Sequence, residues 1–178
     1  MGVGLVLLVV AFYLIRAGDS LFPAQMLRHA VSGEGLKLRD IHYTHDDTDE
    51  GIKWVLDARE IRFSENRSTI FFEDFRLKLE PKDKPWLQLT GKGGEYSRDS
   101  GDIRLWGELE GVSSDGYKLK TERIQINEKR RDLSSDERVR IWGPFFSLEG
   151  KGFSANLESK RFRVASEAIT VLYKEPQI

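Results

Sequence analysis

The sequence contains no cysteine, and only two methionines and three histidines among its 178 residues. Without thiols there is no disulfide, no thiolate metal centre and no cysteine nucleophile, so the fold must hold by burial and backbone pairing alone. An excess of either charge is also missing: 28 Lys and Arg stand against 29 Asp and Glu, a net charge of −1. That balance excludes a nucleic-acid binder that works through a net positive surface, and no nucleic-acid partner is expected. Long segments with apolar residues three and four apart are lacking after residue 35, which excludes a bundle of core helices. No G-x-S-x-G, H-E-x-x-H or phosphate-cradling glycine loop occurs, and no cofactor is expected.

What is present falls into two parts. The first charged residue is Arg16, and residues 2–15, GVGLVLLVVAFYLI, form one apolar run. A segment apolar on every side belongs in hydrocarbon. As a helix, residues 1–15 span about 22 Å against a bilayer core of about 30 Å. Snorkelling of Arg16 and local bilayer thinning can close part of the difference. Residues 1–18 therefore read as a transmembrane anchor and 19–35 as a linker, with room for one short helix over 23–31. A cleaved signal peptide is the rival reading, but it lacks a basic segment before the run and a small-residue cleavage site after it. A translation start further upstream, carrying those basic residues, is a further expectation.

The remainder is polar yet not disordered: Leu, Ile, Val and Phe make up about a quarter of it, above the roughly 20% typical of unfolded chains. Leu36 and Leu38, then Ile70 and Phe72, then Phe75, Leu77 and Leu79 alternate with polar neighbours, the period of a strand. Turn residues cluster at 64–68, 81–85, 98–102, 113–116 and 129–137. The class is all-β, over residues 36–175.

One spacing of bulky or small residues recurs at i, i+2, i+4, i+7 and i+9. It occurs as Trp54, Leu56, Ala58, Ile61, Phe63; as Leu87, Leu89, Gly91, Gly94, Tyr96; and as Tyr117, Leu119, Thr121, Ile124, Ile126. A fourth copy reads Phe153, Ala155, Leu157, Phe162, Val164, with two extra residues after its third position. Side chains two apart share a face, and the step from i+4 to i+7 breaks that parity, so a bulge or corner is predicted there. The pentapeptides Ile103-Arg-Leu-Trp-Gly107 and Val139-Arg-Ile-Trp-Gly143 are each followed by Gly116-Tyr117 or Gly152-Phe153. That suggests a hairpin unit in which a strand ends at Gly and an aromatic-headed strand comes next. Stacked units would bury one apolar interior, as in jelly rolls or β-solenoids.

The order of these elements resembles the LptC family. The resemblance lies in the anchor and in Trp54-x-Leu56-x-Ala58, Trp86-x-Leu-x-Thr90, Ile103-x-Leu105-x-Gly107, Ser114-Asp-Gly-Tyr117-x-Leu119-x-Thr121-Glu122 and Val139-x-Ile141-x-Gly143-Pro. It implies an open, twisted, OstA-like β-jelly roll held at the inner membrane of a Gram-negative bacterium by one helix, with its C-terminal domain in the periplasm. Its partners would be inner-membrane lipid, lipopolysaccharide, the LptBFG ABC transporter as donor and an LptA-like bridge protein as acceptor. The lipid-binding groove is expected at Trp54, Leu56, Ile61, Phe63, Phe72, Leu87, Leu89, Tyr96, Leu105, Tyr117, Leu119, Ile124, Ile141 and Phe153. Partner edge strands are expected at Leu36, Leu38, Ile41 and Tyr43, and at Ile169, Val171 and Tyr173. In this reading the protein is not an enzyme.

Two other readings stay open: a tether that joins transporter to bridge without touching lipid, and, more remotely, an envelope carbohydrate-active enzyme using Glu108 and Glu110 as paired carboxylates. His42-x-x-His45 beside Asp46 and Asp47 has weak metal spacing, residues 46–51 lack the helices and final Glu of a calcium loop, and Lys129-Arg-Arg131 reads as a solvated turn.

Overall fold

In the computed structural model, residues 37–47, 51–127, 129–156, 159 and 161–176 are described. The expected anchor (1–18), linker (19–35) and Leu36 lie outside them, and among the described residues no helix is long and apolar enough to cross a membrane. Nine strands succeed one another: β1 (Lys37–Asp47), β2 (Ile52–Phe63), β3 (Thr69–Pro81), β4 (Leu87–Ser97), β5 (Asp102–Ser113), β6 (Lys118–Asn127), β7 (Asp132–Trp142), β8 (Phe146–Asn156) and β9 (Arg161–Leu172). They form a single antiparallel sheet in the order β1 to β9, each strand paired with the next.

Midway along the strands the ladder is interrupted, where the repeat spacing places its change of parity. Asp40 and Arg59 drop out of the β1–β2 pairing, Arg59 and Asp74 out of β2–β3, and Asp74 and Lys92 out of β3–β4. From β4 onward the register shifts between Thr90 and Gly93, Trp106 and Leu109, Thr121 and Gln125, Ser135 and Arg138, and Glu149 and Lys151. Several of these residues hold left-handed backbone: φ is 49° at Asp40, 45° at Asp74, 49° at Glu108 and 52° at Glu167. A left-handed residue inside a strand turns the chain and flips the facing of the residues beyond it. Both halves of a bent strand can then present apolar side chains to the same side.

That side is the core. Leu56, Ala58, Ile61 and Phe63 on β2, and Leu87, Leu89 and Tyr96 on β4, are all 5% exposed or less, and Ile70 and Leu109 are wholly buried. No second layer exists among the described residues to cover this face, so the two halves of the sheet cover each other. At the bend Phe72 and Phe75 meet edge to face with centroids 5.2 Å apart, an arrangement favoured by the ring quadrupoles.

Three sequence expectations change. The fourth repeat copy is framed differently: Leu157 lies outside the described residues, and the run from Phe153 crosses the β8–β9 hairpin. The buried residues of β8 are Phe146, Leu148, Gly150, Gly152, Phe153 and Ala155, and all but Gly152 follow the same i to i+9 spacing begun seven residues earlier. The Ile103 and Val139 pentapeptides are also not equivalent: Gly107 sits at the bend inside β5, with φ 83°, whereas Gly143 comes after the end of β7. The turn expected over 129–137 ends sooner, since β7 begins at Asp132.

Gly94 shows how closely neighbouring strands pack on the inner face, because a Cβ there would lie 2.3 Å from two ring carbons of its ladder partner Phe72. Gly94→Ala should therefore destabilise the domain by about 1–3 kcal/mol through overpacking. Gly111→Ala, whose nearest neighbour would be Leu119 Cβ at 3.3 Å, should shift stability by less than about 1 kcal/mol. Urea unfolding midpoints measure both, and Phe72→Leu should recover part of the loss in the Gly94→Ala background.

Candidate functional site

Twelve of the fourteen residues expected to line the groove are buried side chains of one continuous cluster: Leu56, Ile61, Phe63, Phe72, Leu87, Leu89, Tyr96, Leu105, Leu119, Ile124, Ile141 and Phe153. Tyr117 is half-buried, packs against this cluster and meets the Phe146 ring at 5.5 Å. Trp54 lies in β2 opposite His45 and Leu79. The interior is filled by these side chains, with Phe72, at 9%, the most exposed of its members. Sequence reasoning left out Phe75, Leu77, Leu79, Leu109, Val139, Phe146 and Leu148, which share the interior. For β3 the alternation itself pointed to them; for β8 the misplaced repeat frame concealed Phe146 and Leu148.

The two ends of the sheet differ. On β1, Leu38, Ile41 and Tyr43 are partly buried against the core, and burial raises the pKa of the Tyr43 phenol. The strand is clasped by Glu60 of β2, whose carboxylate meets Lys37 at 2.8 Å, Arg39 at 3.8 Å and Arg62 at 3.2 Å. The Lys37 hydrogen bond is the main reason that the Glu60 carboxyl titrates below the usual range. At the other end β9 has, among the described residues, only β8 beside it. Ile169, Val171 and Leu172 are 65%, 46% and 78% exposed, and the half-buried Tyr173 donates its backbone N–H to Phe145 O at 2.8 Å. An edge strand of bare apolar side chains and open backbone groups is a template for another strand.

The residues at the bend border a groove lined by charges of both signs, opposite on β3 and β4 at Asp74 and Lys92 but alike on β5, β6 and β7 at Glu108, Glu122 and Glu137. Asp74 pairs with Arg59 at 2.7 Å and Lys92 at 4.0 Å, and Arg138 pairs with Glu167 at 2.7 Å. Glu108 and Glu110 are exposed on β5, but Glu110 is paired with Lys120, and Glu108 receives no cation among the described residues. His42 and His45 are three apart in β1 and so project to opposite faces. His42 Nδ1 lies 2.6 Å from Asp57 Oδ1, while the His45 ring stacks along Tyr43 at 6.4 Å. These histidines cannot converge on one ion.

The hairpin turns divide between two rims. Those after β2, β4, β6 and β8 lie at one rim, and those after β1, β3, β5 and β7 at the other. At the first rim asparagines tie neighbouring strands together. Asn127 Nδ2 donates to Asp102 Oδ1 at 2.6 Å while its Oδ1 accepts from the Arg130 N–H at 2.8 Å. Asn156 repeats this one hairpin on, donating to Asp132 Oδ1 at 2.8 Å and accepting from the Ser159 N–H at 2.7 Å. The Asn127 hydrogen bond, then that of Ser100, lowers the Asp102 pKa.

A model of the family described as lipopolysaccharide-assembly, LptC-related, matches residues 3–174. No curated protein matches the sequence. Among solved structures, the chain is similar to LptH, the LptA homologous periplasmic component of the lipopolysaccharide transport device from Pseudomonas aeruginosa. That likeness has 13% identity and a TM-score of 0.36, over 56% of this chain and 80% of that one.

The clasp at Glu60 makes the β1 edge sensitive to acid. Because its folded pKa is depressed, the carboxylate contributes stability above its unfolded pKa of about 4.3, and that contribution is lost as pH falls through the lower folded value. Glu60→Gln should flatten the fall of the urea midpoint below about pH 4, measured as a pH series on both proteins.

Proposed function

Because the chain belongs to the LptC-related lipopolysaccharide-assembly family, and so has its role in lipopolysaccharide transport, we propose that its β domain receives the lipid's acyl chains between the two halves of the bent sheet and passes them along the strand stack. The observation that supports this reading most is the interior itself: one apolar cluster running from β2 to β8, enclosed by a single sheet whose two end strands are, among the described residues, each paired on one side alone. Each methylene moved from water into such an interior gains roughly 0.8 kcal/mol. Contacts of this kind have no direction, so a chain can slide along them, and no bond of the lipid is made or broken. Directionality then comes from ATP hydrolysis in the LptBFG transporter, docked at the β1 edge. The exposed β9 edge, with Ile169 and Val171, would extend the sheet into an LptA-like bridge protein in the periplasm. The apolar segment 1–18 would hold the domain at the inner membrane.

A tether without lipid contact is favoured by a different observation, the filled interior, in which side chains already occupy the space that acyl chains would need. For lipid to enter, the halves must part, and Phe72, next to the bend, is the interior residue nearest to solvent. Photoreactive residues separate the readings. Replacing Phe72 or Leu105 should give lipopolysaccharide adducts in cells, and replacing Val171 should give an adduct with an LptA-like protein. Protein adducts from Val171 with no lipid adduct from either interior position would establish the tether instead.

A further inference from the structure

The free edge of β9 is divided in two by its bend. Glu167, with φ 52°, turns the strand there and pairs with Arg138 at 2.7 Å. In the half before it, Arg161 and Arg163 are exposed, and cations on an edge strand discourage other strands from adding to it. Val164 in that half stands opposite Phe153 and packs against the interior cluster, so the cluster extends onto β9 there. Beyond the bend, residues 168–173 read A-I-T-V-L-Y, six residues rich in strand formers and without a charge. On β1, by contrast, Lys37, Arg39, Asp40 and Asp46 spread charge along the edge.

The register shows what the second half leaves open. Thr170 and Leu172 stand opposite the buried Leu148 and Phe146 and therefore share the inner face, yet both are exposed, Leu172 to 78%. Among the described residues nothing covers the inner face here. Ile169 and Val171 lie on the outer face, opposite Glu149 and Ser147, and Phe145, 54% exposed, continues their side at the turn. Tyr173 gives its backbone N–H to Phe145 O at 2.8 Å. Hydrogen-bonding direction alternates along an antiparallel pair. The backbone groups of Ile169 and Val171 therefore also face β8, and those of Thr170 and Leu172 face the free side.

We propose that the strand added at this edge pairs with residues 168–173 alone. It is an apolar strand of the bridge protein, which continues the interior over Leu172 on one face and covers Ile169, Val171 and Phe145 on the other. The proposal rests on the docking of β9 to a bridge protein given above. Three observations specify the occupant. The free N–H and C=O groups of Thr170 and Leu172 call for backbone partners, and a strand supplies them in series. A segment without charge calls for an uncharged complement, because a charged side chain held against Ile169 or Leu172 would lose water and gain no partner. The bend at Glu167 keeps a straight strand from following both halves, and Arg161 and Arg163 guard the other one. A second copy of this chain fits less well. Six residues make about 20 Å of strand, and a contact confined to them stays below the roughly 1,200 Å² at which stable interfaces begin, a size that suits a transient partner.

The test places a photoreactive residue at Ile169 or at Arg163 of the full chain in cells. Ile169 should give an adduct with the bridge protein, and Arg163 about tenfold less of it. Thr170→Pro, combined with the photoreactive residue at 169, removes an N–H that faces away from β8, a place where an edge strand accepts proline. The purified Thr170→Pro variant should keep its Tm, and its adduct yield should fall about tenfold. Leu172→Lys puts a charge where the added strand would lie and should lower the yield likewise; it carries the test if the proline lowers Tm. Equal yields from Ile169 and Arg163 would overturn the proposal, and so would an Ile169 adduct that survives both substitutions. An adduct at twice the mass of the chain would assign the segment to a second copy and overturn it too. If neither these positions nor Val171 gives an adduct, the docking of β9 to a bridge protein fails, and this proposal fails with it.

Discussion

The parity of a β-strand is the constraint on which this structure turns. Side chains alternate faces with period two, so a strand that bends sharply and keeps perfect alternation cannot keep both halves of one apolar face turned inward. Here each strand changes parity at its midpoint, through a residue that drops out of the ladder or a shift of register. The change lets a single sheet serve as both walls of its own core. A domain with this much charge can fold because its apolar side chains line only the inner side of one folded layer.

The outer face is set by the same bend. Many of the residues released from the ladder at the midpoint are charged, acidic at Asp40, Asp74, Glu108 and Glu167 and basic at Arg59 and Lys92, although Gly91, Gly107 and Gly152 are not. Glu108, Glu122 and Glu137 set like charges on β5, β6 and β7, whereas from β1 to β5 adjacent strands place opposite charges side by side along the crease. These pairs are largely exposed, and exposed pairs contribute little to stability, typically below about 1 kcal/mol each. Folding free energy comes from the enclosed cluster, and the pairs keep its outer surface soluble.

Much of this was legible in the sequence, and the exceptions have physical causes. The spacing in β2, β4 and β6 located both the inward face and the bend, because residue size and polarity track parity directly. The β8 copy was misframed because a hairpin turn and a mid-strand bulge ask for the same residue. Gly116 in a turn and Gly152 in a bulge both hold left-handed backbone, with φ of 91° and 71°, so Gly152-Phe153 imitates Gly116-Tyr117. Where the bend uses Asp74 or Glu167 there is no glycine signal at all. Groove and core were indistinguishable, since a side chain that lines a slot and one that fills it have the same apolar character.

Because every strand pairs with its immediate neighbours in the chain, and the main packing contacts keep the same order, the architecture has no fixed size. A hairpin added between two existing ones would bring its own pair of bends, its own stretch of interior and its own rim turn, while leaving both outermost strands as they are. Each such insertion would lengthen the stack by about 10 Å without altering either end strand. Reach is thereby separated from the ends: the number of hairpins sets how far the domain extends, while the first and last strands keep the edges they have.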